Sequence, residues 1–246
     1  MDDHTLLRFL RARRFDIAKT KLMFVNYLEW RTEFKVDELY ESFVFTERAE
    51  VAKLYPRYYH KQDKDGRPLW IEHLGKLNSK EVFKTTTEQR FMQNHVHEFE
   101  KFLRQRLPAC SYKSNRHIEQ SCTILDLKGV PMTQFPQASA VVKKISAISQ
   151  DYYPETLGKM YIINAPTLFS GAWNVIKHFL DENTVAKIHI FSSNYKDALL
   201  NQVPAENLPA ELGGTCTCPE GCQHSDAGPW KDVSLAIGEL ARSLAC

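Results

Sequence analysis

Cys216, Cys218, Cys222 and His224 stand within nine residues, spaced C-x-C-x3-C-x-H. Four soft or borderline donors at that density are able to hold a tetrahedral zinc. The C-x-C bite is tighter than the usual C-x2–4-C, and no second pair backs it up. An ordered loop with free thiols, or one incidental disulfide, therefore competes with the metal, and a zinc here would staple a loop rather than perform chemistry. Charge is concentrated at the start of the chain, in Arg8, Arg11, Arg13 and Arg14. Such a group suits a phosphate, or forms the solvated face of a helix. His95 and His97 are two apart on a predicted helix, so they face different directions and do not chelate together. The other histidines are scattered and read as surface or half-buried residues. Signatures of nucleophilic and phosphate chemistry are missing: no G-x-S-x-G elbow, P-loop, G-x-G-x-x-G or H-E-x-x-H occurs. Ser170-Gly171 reads as a helix start rather than an elbow.

The elements that must position these residues follow from apolar periodicity. Asp2 or Asp3 caps a first helix whose face is Leu6, Leu7 and Leu10. A second helix is predicted from about Ile17 to Phe34, and a third over Glu47–Leu54. Residues 1–54 thus form a small helical N-terminal unit, and 55–246 the main domain. Arg57–His60 and Leu69–His73 read as strands, with Asp65-Gly66 supplying turn chemistry between them. A long helix from about Thr87 to Leu107 follows. Ser121–Leu127, Met160–Asn164 and Lys187–Phe191 read as strands, separated by helices over about 137–150 and 168–180 and followed by another over 196–202. Strands alternating with helices indicate an α/β fold with a largely parallel sheet. Residues 213–232 form the one long stretch without periodicity.

The helix over 168–180 is apolar on too many sides. At 100° per residue, Phe169, Ala172, Trp173, Ile176 and Leu180 share one face, with Leu168, Val175 and Phe179 beside it, an arc of roughly 160°. A well-buried core helix fits this pattern. So does a movable lid over an apolar cavity, able to lie against a membrane when open and hinged at Asp181-Glu182-Asn183-Thr184.

Composition excludes several classes. The 246 residues carry 32 basic and 30 acidic side chains, a net charge of +2, which argues against a nucleic-acid binder. No apolar run approaches the ~18–20 residues of a membrane span, and Met1-Asp2-Asp3 does not open a signal peptide. Six cysteines in a chain of this length are no secreted disulfide framework, so a reducing cytoplasmic setting is expected.

Several motifs together resemble one family. Leu6-Leu7-Arg8-Phe9-Leu10-Arg11-Ala12-Arg13-Arg14-Phe15-Asp16 is similar to the N-terminal signature of CRAL-TRIO lipid-binding proteins. Lys64-Asp65-Gly66-Arg67-Pro68, Asp126-Leu127-Lys128-Gly129, Tyr152-Tyr153-Pro154-Glu155 and Ile162-Ile163-Asn164-Ala165-Pro166 continue it in order. Pro204-Ala205-Glu206-Asn207-Leu208-Pro209 and Leu212-Gly213-Gly214 close it. The resemblance is strongest to the fungal phosphatidylinositol/phosphatidylcholine transfer branch, while the cysteine tail ending in Gly228-Pro229-Trp230 looks like the plant members. The chain begins at the signature helix, so the upstream helices of longer members are expected to be missing.

The resemblance implies a non-enzymatic, monomeric lipid-exchange protein with a bound phospholipid and no cofactor. The lipid would lie in an apolar pocket beneath a gating helix that matches 168–180 and carries Phe169, Trp173, Ile176, Phe179 and Leu180. Arg13, Arg14, Glu155, Thr184 and Lys187 match the family's phosphatidylinositol head-group positions. Tyr59, Trp70, Ser121, Thr123, Ser149 and Tyr153 match its phosphatidylcholine positions, where aromatic faces suit a quaternary ammonium. Trp70 stands where the family pattern has tyrosine, and Arg14 where lysine is usual. Membrane surfaces and lipid kinases are the implied partners, with transient residence on Golgi or endosomal membranes. Two other readings stay open: a non-exchanging carrier of a sterol or tocopherol, its cavity reshaped by Trp70, and an α/β hydrolase-like enzyme.

Overall fold

The computed structural model describes residues 2–130 and 135–232. The chain opens with α1 (Asp3–Ala12), capped by Asp2, whose carboxylate accepts from the Thr5 N–H at 2.8 Å. Asp16 does the same for α2 (Ile17–Glu33), accepting from the Lys19 N–H at 3.0 Å. Two short helices follow, α3 (Val36–Ser42) and α4 (Arg48–Leu54). The sequence reading missed α3; Lys35, at φ 54°, turns the chain into it.

A five-stranded sheet holds β1 (Arg57–Gln62), β2 (Pro68–His73), β3 (Ser121–Asp126), β4 (Leu157–Ile163) and β5 (Ile188–Ile190), side by side in that order. β1 and β2 are antiparallel and every later pair is parallel, as expected for a largely parallel α/β sheet. The turn between β1 and β2 rests on Gly66, at φ +77°; a Cβ there would come within 2.2 Å of Ser114 Oγ.

From β2 to β3 the chain passes through α5 (Ser79–Thr85), also missed, then α6 (Glu88–Lys101), a π-helical segment (Phe102–Arg106) and α7 (Leu107–Ser114). The expected stop near Leu107 is overrun. Pro108 has no N–H to give an α-helical ladder, and the wider π turns just before it let the helical run continue to Ser114. The β3–β4 crossover contains α8 (Phe135–Tyr152). The β4–β5 crossover contains α9 (Phe169–Ile176), a 3-10 turn (Lys177–Phe179) and α10 (Glu182–Ala186), so the predicted 168–180 helix is shorter and tightens at its end. After β5 come α11 (Lys196–Gln202) and, inside the stretch read as aperiodic, α12 (Cys222–Ser225).

The two faces of the sheet are unequal. Leu69, Ile71, Cys122, Ile124 and Ile163 on one face are fully buried against Leu199, Val203, Leu208 and Leu212 from α11 and the segments after it. On the other face Tyr59, Thr123 and Ile162 are buried, but Trp70, Leu125, Met160 and Ile188 are apolar and only half-buried, although β2, β3 and β4 are interior strands. The N-terminal helices are tied to the rest through Trp30, stacked on Tyr152 at 4.0 Å, and Arg31, 2.9 Å from the buried Glu100.

Candidate functional site

The half-buried face holds a continuous row of side chains. Tyr59 in β1 pairs with Trp70 in β2, and Trp70 with Thr123 in β3, so all three project to the same side. The Tyr59 and Trp70 rings lie 4.7 Å apart, and the Thr123 hydroxyl is 3.5 Å from that of Ser121, two residues along the same strand. The Trp70 indole N–H donates to Glu72 at 3.0 Å, leaving its ring as the surface it offers. Ser121 also donates to the Thr156 carbonyl at 3.4 Å, and the Thr156 hydroxyl donates to the Tyr153 carbonyl at 2.8 Å. Tyr153 is thereby linked to the row, but its own hydroxyl is committed elsewhere, donating to Glu100 at 2.8 Å in the network that holds Arg31. Ser149 donates to the Ile145 carbonyl of its own helix at 3.0 Å and makes no contact with the row among the described hydrogen bonds.

α9 crosses this face at its β3–β4 end. Phe169 is buried against Leu127 and Ile162, with Ala172 and Trp173 packed beside it. Ile176 and Leu180 are half-buried, and the Phe179 side chain lies outside the described part of the structure. The opposite edge of the same helix is bare: Leu168 is 67% exposed and Val175 58%. A core helix would bury both edges, so the core-helix alternative gives way.

Charged residues expected around a phosphate sit in two ion pairs. Lys187, just after α10, lies 3.1 Å from Glu155, which holds the left-handed backbone at φ 59° just before β4. Arg14, also left-handed at φ 52°, reaches across to Glu182 at 3.1 Å. Glu182 opens the helix that carries Thr184, so α1's end meets α10. The Thr184 hydroxyl donates to the capping Asp181. The half-buried Arg13 guanidinium donates to the Ala12 carbonyl at 3.1 Å, its one described partner. Glu182 was not anticipated as a member of this group; its partnership with Arg14 spans 168 positions and leaves no local mark in the sequence.

The cysteine cluster assembles with one change of member. Cys216, Cys218 and Cys222 converge, and the fourth donor is His60 of β1, not His224. α12 places His224 two residues beyond Cys222, about 200° round the helix, where it is exposed and paired with Gln223.

Two histidines read as surface or half-buried, His60 and His73, are in fact buried, and so are His95 and His97. His95 packs edge-on to Phe99 at 5.1 Å, and burial pushes its pKa down to about 3. A neutral imidazole packs as an aromatic ring, which the polar reading of histidine overlooks. His73 ends β2 beside Asp126, which ends β3, at 3.2 Å, and Asn164 donates to the same carboxylate at 2.7 Å. Burial disfavours the charged His73 ring, but the Asp126 and Glu211 carboxylates outweigh it and hold its pKa above the ordinary value.

A mostly parallel sheet with one half-buried apolar face, a helix across that face and a helical N-terminal segment define a known class. The CRAL/TRIO domain matches residues 52–214 and the CRAL/TRIO N-terminal domain residues 1–26, and the chain belongs to the CRAL/TRIO family. Among its relatives is the Sec14 cytosolic factor of Schizosaccharomyces pombe, 54% identical over 232 residues that cover 94% of this chain and 81% of that one. The phosphatidylinositol/phosphatidylcholine transfer protein SFH4 of Arabidopsis thaliana is 45% identical, covering 95% of this chain and 39% of that longer protein. The crystal structure of Sfh5 shares the fold at a TM-score of 0.70 and 20% identity, covering 99% of this chain and 81% of that one.

Proposed function

We propose that this protein carries phosphatidylinositol between membranes, exchanging it for a second phospholipid, with phosphatidylcholine the first candidate, and so presents it to lipid kinases. The carrying observation is the half-buried apolar face in the middle of the sheet, crossed by a helix whose outer edge is itself apolar and exposed. Each methylene exposed to water costs about 0.8 kcal/mol, so a two-chain lipid leaves a bilayer only into an apolar host. Swapping one lipid for another in that host is nearly isoenergetic and needs no nucleotide. The kinship with a phosphatidylinositol/phosphatidylcholine transfer protein supports the choice of lipids.

In this reading Arg13, Arg14 and Lys187 meet the inositol phosphate, Glu155 orients Lys187, and Thr184 completes the head-group set. Tyr59, Trp70, Ser121 and Thr123 meet the second head group, with Ser149 and Tyr153 behind them. α9, through Trp173 and Ile176, opens and closes the face. The protein performs no bond chemistry, works as a monomer in the cytoplasm and visits Golgi or endosomal surfaces; no helix among the described residues is long and apolar enough to cross a membrane. Labelled phosphatidylinositol moving between donor and acceptor vesicles is the direct test. Arg13→Ala combined with Lys187→Ala is expected to cut that transfer tenfold or more, since each charge-assisted hydrogen bond contributes about 1.5–3 kcal/mol. No transfer by the wild type, or undiminished transfer by the double variant, overturns the assignment.

A further inference from the structure

We propose that His60, Cys216, Cys218 and Cys222 form a structural zinc site that ties the loop following Gly214 to β1. The ligand atoms of all four lie within 4.8 Å of one another. His60 Nε2 is 3.4 Å from Cys216 Sγ, and Cys216 Sγ is 3.9 Å from Cys218 Sγ. Zinc bonds of about 2.3 Å to sulfur and about 2.0–2.1 Å to nitrogen give a tetrahedron whose edges are about 3.8 Å between sulfurs and about 3.5 Å from sulfur to nitrogen. The observed edges fit a zinc tetrahedron. A disulfide would need the two sulfurs at about 2.05 Å.

The surroundings suit a metal as well as the donors do. His60 Nδ1 lies 3.3 Å from Ser225 Oγ, so with Nε2 facing the sulfurs the ring donates from Nδ1 to the serine. That is the outer-shell hydrogen bond that fixes the tautomer and orientation of a zinc-bound imidazole. Three thiolates and one neutral imidazole around Zn2+ leave one net negative charge, and the Lys61 ammonium sits 3.1 Å from Cys216 Sγ to offset it. Lys61 reaches this place through an irregularity: β1 bulges after Tyr59, and Lys61 itself holds φ +52°. Bulges that re-aim side chains cluster beside functional sites. On the loop side, Gly221 at φ +83° lets the chain double back so that Cys222 returns beside Cys216.

Three sulfurs and one nitrogen select zinc or a similarly thiophilic ion over calcium or magnesium. All four positions come from the protein, so the site is closed and structural, with no open position for catalysis. Binding releases the thiol protons to solvent and changes no oxidation state. The site lies on the packed side of the sheet, within the Leu199–Leu212 core, away from the Tyr59–Trp70 row. It stands independently of the lipid reading.

Elemental analysis of the full chain, purified under reducing conditions without chelator or metal-affinity resin, is expected to find one zinc per molecule. Cys218→Ser and His60→Ala should each reduce that to near zero, whereas His224→Ala should keep it. Ser225→Ala should retain the ion but weaken zinc affinity about 10–100-fold in a chelator competition. In case ligand variants fail to fold, loading the wild-type protein with Co2+ gives a second readout, the intense visible absorption of tetrahedral, thiolate-bound cobalt. A zinc-free wild type that also gives no such spectrum overturns the proposal. So does a Cys216–Cys218 disulfide in the intact mass of the native protein, or full zinc content in both Cys218→Ser and His60→Ala.

Discussion

Tyr59 and His60 are consecutive residues of β1 that belong to opposite sides of the molecule. Tyr59 packs with Phe102, Leu107 and Trp70 on the half-buried face, while His60 joins Cys216 and Ser225 on the packed one. One peptide bond thus separates the fully packed side of the sheet from the side on which Trp70, Leu125 and Met160 stay half-buried. The predictions below use that division.

Substitutions on the two faces should differ in cost. Ile124→Ala empties a fully buried position and is expected to lower stability by about 2–5 kcal/mol. Met160→Ala, on the half-buried face, should cost roughly 1 kcal/mol, in proportion to the apolar area it covers. Urea denaturation of the two variants measures the contrast; equal losses would mean that both faces are closed.

Filling the polar end of the row should separate the two lipids. Ser121→Ile with Thr123→Ile removes the paired hydroxyls, which lie 3.5 Å apart, and adds bulk between Trp70 and Thr156. Phosphatidylcholine transfer is expected to drop tenfold or more while phosphatidylinositol transfer persists. Intact choline-lipid transfer would remove Ser121 and Thr123 from the head-group site.

The bare edge of α9 should matter for membranes and not for folding. Val175→Asp places a charge at a residue 58% exposed, where stability normally changes by no more than about 0.5 kcal/mol. Vesicle transfer should nevertheless fall several-fold, because a carboxylate on that edge resists entry into a bilayer surface. Unaltered transfer rates would show that this edge never meets lipid.

Acid should destabilise the protein through the buried His95. His95 is held neutral, its pKa moved by burial from 6.5 to about 3. The unfolded chain takes up a proton there below pH 6.5 and the folded chain does not, so stability falls as pH falls through that range. This contribution approaches about 1.4 kcal/mol per pH unit down to the folded value. His95→Phe should flatten the decline in a pH series of urea midpoints, and an unchanged slope would assign it to other groups.

Much of this was readable in the chain. The strands at 57–60, 69–73, 121–127 and 160–164 carry runs of β-branched and aromatic residues bounded by turn chemistry, and all appear within a few residues of their expected ends. α3 and α5 were not, although α4 and α11, equally short at seven residues, were. The inequality of the sheet faces was also hidden. Met160 and Tyr161 are both apolar neighbours in one strand, and only the packing around them leaves the first half-buried and the second buried. The cysteine spacing announced three of four converging donors. The fourth, His60, lies 156 positions away, and only the pairing of β1 with the sheet brings it home. For the charged positions, residue type pointed to the phosphate, but their pairing with Glu182 and Glu155 belongs to tertiary structure.

The contact between Arg14 and Glu182 has a further consequence. Both side chains are largely in solvent, at 77% and 89% exposure, and such a pair contributes at most about 1 kcal/mol. That is a bias of about fivefold in population, enough to favour one resting arrangement of α1 and α10 and too little to hold it. At physiological ionic strength charges are screened over about 8 Å. The N-terminal helix and the segment after α9 are therefore joined by a latch whose strength the surrounding electrolyte sets, and an anionic surface competing for Arg14 would release it.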